Sequence, residues 1–180
     1  MTKVDEIKEE IPIPEGVEVT QDQTAFTFKG EKGELTRAFS HPKINVQKQN
    51  NSITIACKNP RRKQKALIGT FHAHIRNMMK GVTQGFEYQM KTVFSHFPIK
   101  TAVDGNTFII ENFLGERCPR KALILEGVTV VVKGEEVTVS GIDKEKVGQT
   151  TANIERATKV TRRDIRVFQD GVYRISKGGI

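Results

Sequence analysis

The first and second halves of this chain read as one unit written twice, and that duplication limits what it can fold into more than any other feature. Phe26 to Leu35 (FTFKGEKGEL) aligns with Phe108 to Arg117 (FIIENFLGER); each is an apolar strand that reaches a glycine, Gly33 or Gly115, and runs on into a charged segment. Ile44 to Ala56 (INVQKQNNSITIA) aligns with Val128 to Ser140 (VTVVVKGEEVTVS). Both alternate apolar and polar residues around a polar turn, which predicts antiparallel hairpins. Each hairpin leads into a helix with one apolar stripe, marked by Leu67, Phe71, Ile75 and Met78 in the first copy and by Val147, Thr151, Ile154 and Thr158 in the second. A striped helix and one-faced strands must bury their apolar sides together. The predicted class is therefore α+β, with two similar domains, each an antiparallel or mixed β-sheet and one α-helix around a single small core. Gly81 and Gly85, followed by alternating Phe86, Tyr88 and Met90, predict a short crossing strand and a boundary near Gly81, giving domains 1–81 and 82–180.

Charge sets the class of partner. Between Glu34 and Glu87 there is no carboxylate but ten basic side chains, and the whole chain carries a net charge of +8. Crowded like charges repel one another in a folded state, and phosphates of a polyanion would offset that cost. The excess is densest at the loop into the first helix, Lys58-Asn59-Pro60-Arg61-Arg62-Lys63, whose counterpart is only Ile142-Asp143-Lys144. No run of 18 apolar residues occurs, so no membrane helix is predicted. Met1 to Thr20 lacks the marks of a signal or transit peptide, so a cytoplasmic location is expected, and the Glu- and Lys-rich first ten residues read as unstructured before assembly. Cys57 and Cys118 stand far apart and His41, His72, His74 and His96 make no ligand spacing; no metal, disulfide or cofactor is expected.

Four segments together resemble the sixth large-subunit ribosomal protein family: GVTQGFEYQMKTVFSHFPI (Gly81 to Ile99), NFLGERCPR (Asn112 to Arg120), VGQTTANIE (Val147 to Glu155) and RRDIRVFQDGVY (Arg162 to Tyr173). The likeness runs from IPIPEGVEV at Ile11 to DGVYRISK ending at Lys177, and the DGVY ending is similar to the archaeal and eukaryotic branch. Arg174 departs from the pattern, standing where an apolar residue is expected. The resemblance implies a non-catalytic constituent of the large ribosomal subunit, a monomer within the ribosome. It would bind large-subunit rRNA beside the sarcin-ricin loop, chiefly through the second domain. Neighbouring ribosomal proteins at the stalk base and translation GTPase factors would lie nearby.

The residues suit that reading, because A-form RNA is approached through phosphates and 2′-hydroxyls along a shallow minor groove. Gly148, Gln149 and Asn153 lie at the start of the second helix, where glycine permits close approach and amides donate to and accept from a hydroxyl. For Gly148, packing against its own sheet is an equal alternative, since Gly69 occupies the matching place in the first copy. Arg117, Arg120 and Lys121 around Pro119 are the strongest phosphate candidates, placed in a strand-end loop. Lys159, Arg162, Arg163 and Arg166 form a further cluster in which Asp164 would orient an arginine, and Lys177 completes the second-domain set. Arg61, Arg62, Lys63 and Lys65 form a secondary basic patch in the first domain. Phe168 and Tyr173 read as structural, because alternating Ile165, Val167 and Phe168 predict a core strand.

Two other functions compete. In one, the first-half basic surface is a protein-binding module for an acidic partner. In the other, Asp104, Asp143, Asp164 and Asp170 hold a metal in a nuclease, although their spacing matches no catalytic motif, Asp143 sits at a helix cap and Asp170-Gly171 reads as a hairpin turn. Gly30-Glu31-Lys32-Gly33 lacks the spacing of a nucleotide cradle, and no enzyme is expected.

Overall fold

A computed structural model describes residues 6–95 and 97–178 and divides the chain between Gln84 and Gly85 into two units. His96 and the first five residues lie outside the described residues.

The first unit runs β1 (Glu6–Pro12), β2 (Glu18–Asp22), β3 (Ala25–Gly30), β4 (Gly33–Ala38), β5 (Asn45–Gln49), β6 (Ser52–Lys58) and α1 (Arg62–Thr83). These strands make two three-stranded antiparallel sheets, ordered β1-β6-β5 and β2-β3-β4. The β5–β6 hairpin is permitted by Asn50, which takes a left-handed φ of 48° at its turn. Phe26, Phe28, Ile53, Ile55, Ile75 and Val82 have no solvent exposure, and each contributes roughly 1.5–3 kcal/mol by leaving water. Gly30 is fixed by close approach: a Cβ there would fall 2.6 Å from the Val82 carbonyl oxygen, which already accepts from the Lys32 amide at 3.0 Å.

The second unit runs β7 (Phe86–Val93), β8 (Lys100–Asp104), β9 (Thr107–Glu111), one 3-10 turn (Phe113–Gly115), β10 (Arg120–Leu123), β11 (Val128–Lys133), β12 (Glu136–Gly141), α2 (Lys144–Ala157) and β13 (Gly171–Gly178). Its sheets are ordered β11-β12-β7-β13 and β10-β9-β8, again wholly antiparallel. Set beside the first unit, β7 to β12 and α2 repeat β1 to β6 and α1 in order and pairing. The duplication is therefore present in the topology, with β13 added at the edge beside β7.

Several expectations are corrected. α1 continues through buried Gly81 to Thr83; Gly85, at φ 76°, is where the backbone leaves the helix, so the division falls beyond Gly81. Residues 6–10 belong to β1, whose alternation of polar residues hides a paired strand. Asp170-Gly171 is no hairpin: Gly171 opens β13 opposite Val93, and buried Asp170 accepts the Ser95 amide at 2.9 Å. Residues 164–168 form a turn rather than a strand, because the Asp164 carbonyl accepts from both Val167 (3.1 Å) and Phe168 (2.9 Å). Ile165 and Val167 consequently stand 69% and 56% exposed.

Candidate nucleic-acid interface

In the second unit, two basic clusters that are distant in sequence meet around one arginine. Arg120 and Lys121 open β10, opposite Ile110 and Ile109, and so are strand residues rather than loop residues. From that rigid position the Arg120 guanidinium spends its donors internally. It grips both oxygens of Glu116 at 2.8 and 2.6 Å, and it donates to the carbonyls of Ala157 (2.8 Å) and Lys159 (3.2 Å) at the end of α2. It also stacks 4.2 Å above the buried Phe113 ring. Positive charge at a helix C-terminus is favourable, and a planar fork suits a carboxylate. Arg120 thus joins the 113–121 segment to α2 rather than standing free for phosphate.

The stretch after α2 is closed at both ends. Buried Thr158 accepts the Val172 amide at 3.1 Å, and its hydroxyl donates to carbonyls of the last helical turn, so residues 159–170 loop out and return to β13. On that loop Arg163 lies 4.8 Å over the Phe168 ring, which is half-buried. Arg166 is held by Asp164 at 2.9 and 3.1 Å, as the sequence suggested, and remains exposed. Arg162 takes a left-handed φ of 59°, a costly conformation for a non-glycine residue.

Electrostatics tie the two clusters together. The hydrogen bond from Arg120, and then the charges of Arg120 and Arg163, hold the Glu116 carboxyl below its ordinary value. The Asp164 carboxyl is likewise lowered, first by its hydrogen bond from the Arg166 side chain. Arg117, Lys121, Lys159, Arg162 and Arg163 are each exposed. Lys177 is exposed on β13, and no hydrogen bond, ion pair or ring contact joins it to them among the described residues.

On α2, Gln149 donates to Asn153 at 3.0 Å and Asn153 donates to the Leu123 carbonyl at 3.0 Å, which fixes both amides beside the end of β10. Gly148 would place a Cβ 3.8 Å from the Tyr88 ring, an ordinary contact, and Gly69 would meet nothing within 4 Å. Packing therefore does not require either glycine. Beside the loop, Arg156, Lys159, Ile165, Phe168, Gln169 and Tyr173 line a cleft of about 610 Å³. The sequence reading missed Arg156 and this cleft, since Ile165 and Val167 carried the signal of a core strand and nothing local revealed the turn.

In the first unit Arg61 caps α1 with its amide donating to Gln64 at 3.2 Å, and Arg62, Lys63 and Lys65 are exposed on the first turn, which holds no acid. Three of the four carboxylates weighed for a nuclease are otherwise used: Asp143 caps α2 through the Glu145 amide at 2.8 Å, Asp164 holds Arg166, and Asp170 is buried on Ser95, while Asp104 stands exposed at the end of β8. Among the described residues no group of three potential ligands could hold a metal ion.

The sequence profile described as Ribosomal protein L6 matches residues 13–85 and again 97–171, one match in each structural repeat. The large ribosomal subunit protein uL6 of Methanobrevibacter smithii is 54% identical over 171 residues, 95% of this chain and 96% of that one. The uL6 of Methanococcus vannielii is 49% identical over 173 residues, 96% of this chain and 95% of its own. Repeated fold, doubled profile match and near full-length identity agree, and the chain belongs to the ribosomal protein L6 family.

Proposed function

We propose that this ribosomal protein, a structural and non-catalytic part of the cytoplasmic ribosome, binds large-subunit rRNA through the second unit. Arg117, Lys121, Lys159, Arg162, Arg163 and Arg166 meet phosphates, Gln149 and Asn153 meet sugars, and Lys177 adds a flanking charge. The observation that carries the reading is the Arg120 junction, which ties the segment before β10 to the end of α2 and the start of the basic loop, while Arg117, Lys121, Lys159 and Arg162 have no ion pair among the described residues. Rigid, strand-mounted and loop-closed cations suit a backbone of fixed A-form spacing, because little ordering is left for binding to impose. The family resemblance supports a position beside the sarcin-ricin loop, the stalk base and the translation-factor site, with other ribosomal proteins as neighbours.

The test is binding of the full chain to a fragment of large-subunit rRNA across a salt series, with Arg117, Lys121, Arg162 and Arg163 changed to Glu. Four lost phosphate contacts should flatten the slope of log affinity against log salt by about 3–4. An unchanged slope would move the RNA site off this surface.

A further inference from the structure

We infer that the outer face of α1 is a docking surface for the sugar-phosphate backbone of an RNA double helix. This inference rests on the reading that the protein works on RNA, but it concerns the other unit. The buried side of α1 carries Ile68, Ile75, Met78, Met79 and Val82. Half a turn around, at helical spacing, Arg62, Lys65, Ala66, Gly69, Ala73 and Arg76 are all exposed on a single stripe. Arg62, Lys65 and Arg76 have no ion pair with any described residue, and no carboxylate lies between Glu34 and Glu87 to neutralise them.

Charge complementarity favours nucleic acid over protein as the occupant. A protein surface presents both signs and is met by both, whereas a phosphate backbone offers only anions. The matching face of α2 carries Glu145 and Glu155 where α1 has Ala66 and Arg76, so the absence of acid is particular to the first repeat. A protein partner also needs a large apolar or aromatic anchor, and among the described residues every exposed large apolar side chain lies at Val93 or beyond. Small side chains fill the middle of the stripe, and Gly69, which its own fold does not require, weakens the helix interior. Such a centre lets the helix approach 2′-hydroxyls along a shallow groove, while Arg62 and Arg76, about 21 Å apart along the axis, reach flanking phosphates.

The whole 180-residue chain is titrated with a fluorescein-labelled double-stranded RNA of mixed sequence over a salt series, and separately with poly-L-glutamate. Charge reversal as Arg62→Glu, Lys65→Glu and Arg76→Glu should reduce the salt slope by about 2–3 and lower low-salt affinity at least about 10-fold. Gly69→Gln should raise the melting temperature of the first unit, because the site is open and the helix gains a better former, yet weaken RNA binding several-fold. An unchanged slope in the charge-reversed protein overturns the inference, as does full RNA affinity in Gly69→Gln. Loss of poly-L-glutamate binding with RNA binding retained overturns it in favour of an acidic protein. The second-unit variant of the preceding section, run in parallel, separates the two claims, since each predicts a loss of slope that the other leaves in place.

Discussion

Replacing Arg120 with Met should unfold the second unit early while leaving its RNA binding nearly intact. Methionine keeps much of the stem packing on Phe113 but removes the guanidinium. The side chain is only 25% exposed, and it donates to the carbonyls of Ala157, the last residue of α2, and of Lys159 just beyond it. Taking about 1 kcal/mol for each of those bonds, about 0.5 for the half-exposed Glu116 pair and about 0.5 for the ring contact gives a loss of roughly 3 kcal/mol. For a unit of this size that lowers the melting temperature by at least about 10 °C, measurable by circular dichroism or calorimetry. Arg120→Lys keeps the charge without the fork and should recover less than half of the loss. Well below the transition, the salt slope of RNA binding should match the wild type. A melting shift below about 3 °C, together with a salt slope reduced by about 1, would refute the structural role and return Arg120 to the phosphate contacts.

Other outcomes follow from single contacts. Gly30→Ala should destabilise the first unit by roughly 1–3 kcal/mol, since the new methyl meets the Val82 backbone, whereas Gly69→Ala should stabilise it by about 0.5–1 kcal/mol; paired thermal melts check both. Asp170→Ala leaves the Ser95 amide without its acceptor and should cost roughly 1–3 kcal/mol in denaturant unfolding, loosening β13 first. Because Arg120 lowers the Glu116 carboxyl in the folded state, its contribution is present above the ordinary glutamate value of 4.5 and fades as pH falls through the lower folded value. A carboxyl-carbon NMR titration should therefore show Glu116 titrating below 4.5 in the wild type and moving up toward it in Arg120→Met.

Much of the fold was legible because it is local and written twice. The alternation in Ile44 to Ala56 and Val128 to Ser140, and the helical spacing from Leu67 to Met78, demand hairpins and a striped helix whatever lies around them. Asp143 as a helix cap and Asp164 as an arginine's partner were readable for the same reason, each acting within a few residues of itself. By itself, then, the sequence determined the α+β class, the duplication and the basic balance. Tertiary structure alone decided what those groups are free to do. Arg120 looks from its neighbours like any loop arginine, and only the end of α2, brought from nearly forty positions away, turns it into a clamp. Asp170-Gly171 has the composition of a turn, yet the pairing of β13 with β7 makes it the opening of a strand. Ile165 and Val167 have the pattern of a core strand, yet the turn at Asp164 leaves them in solvent. The physical reason is common to all three: composition and spacing fix energies within a few residues, while long-range pairing chooses which donor, acceptor or apolar surface each group finally meets.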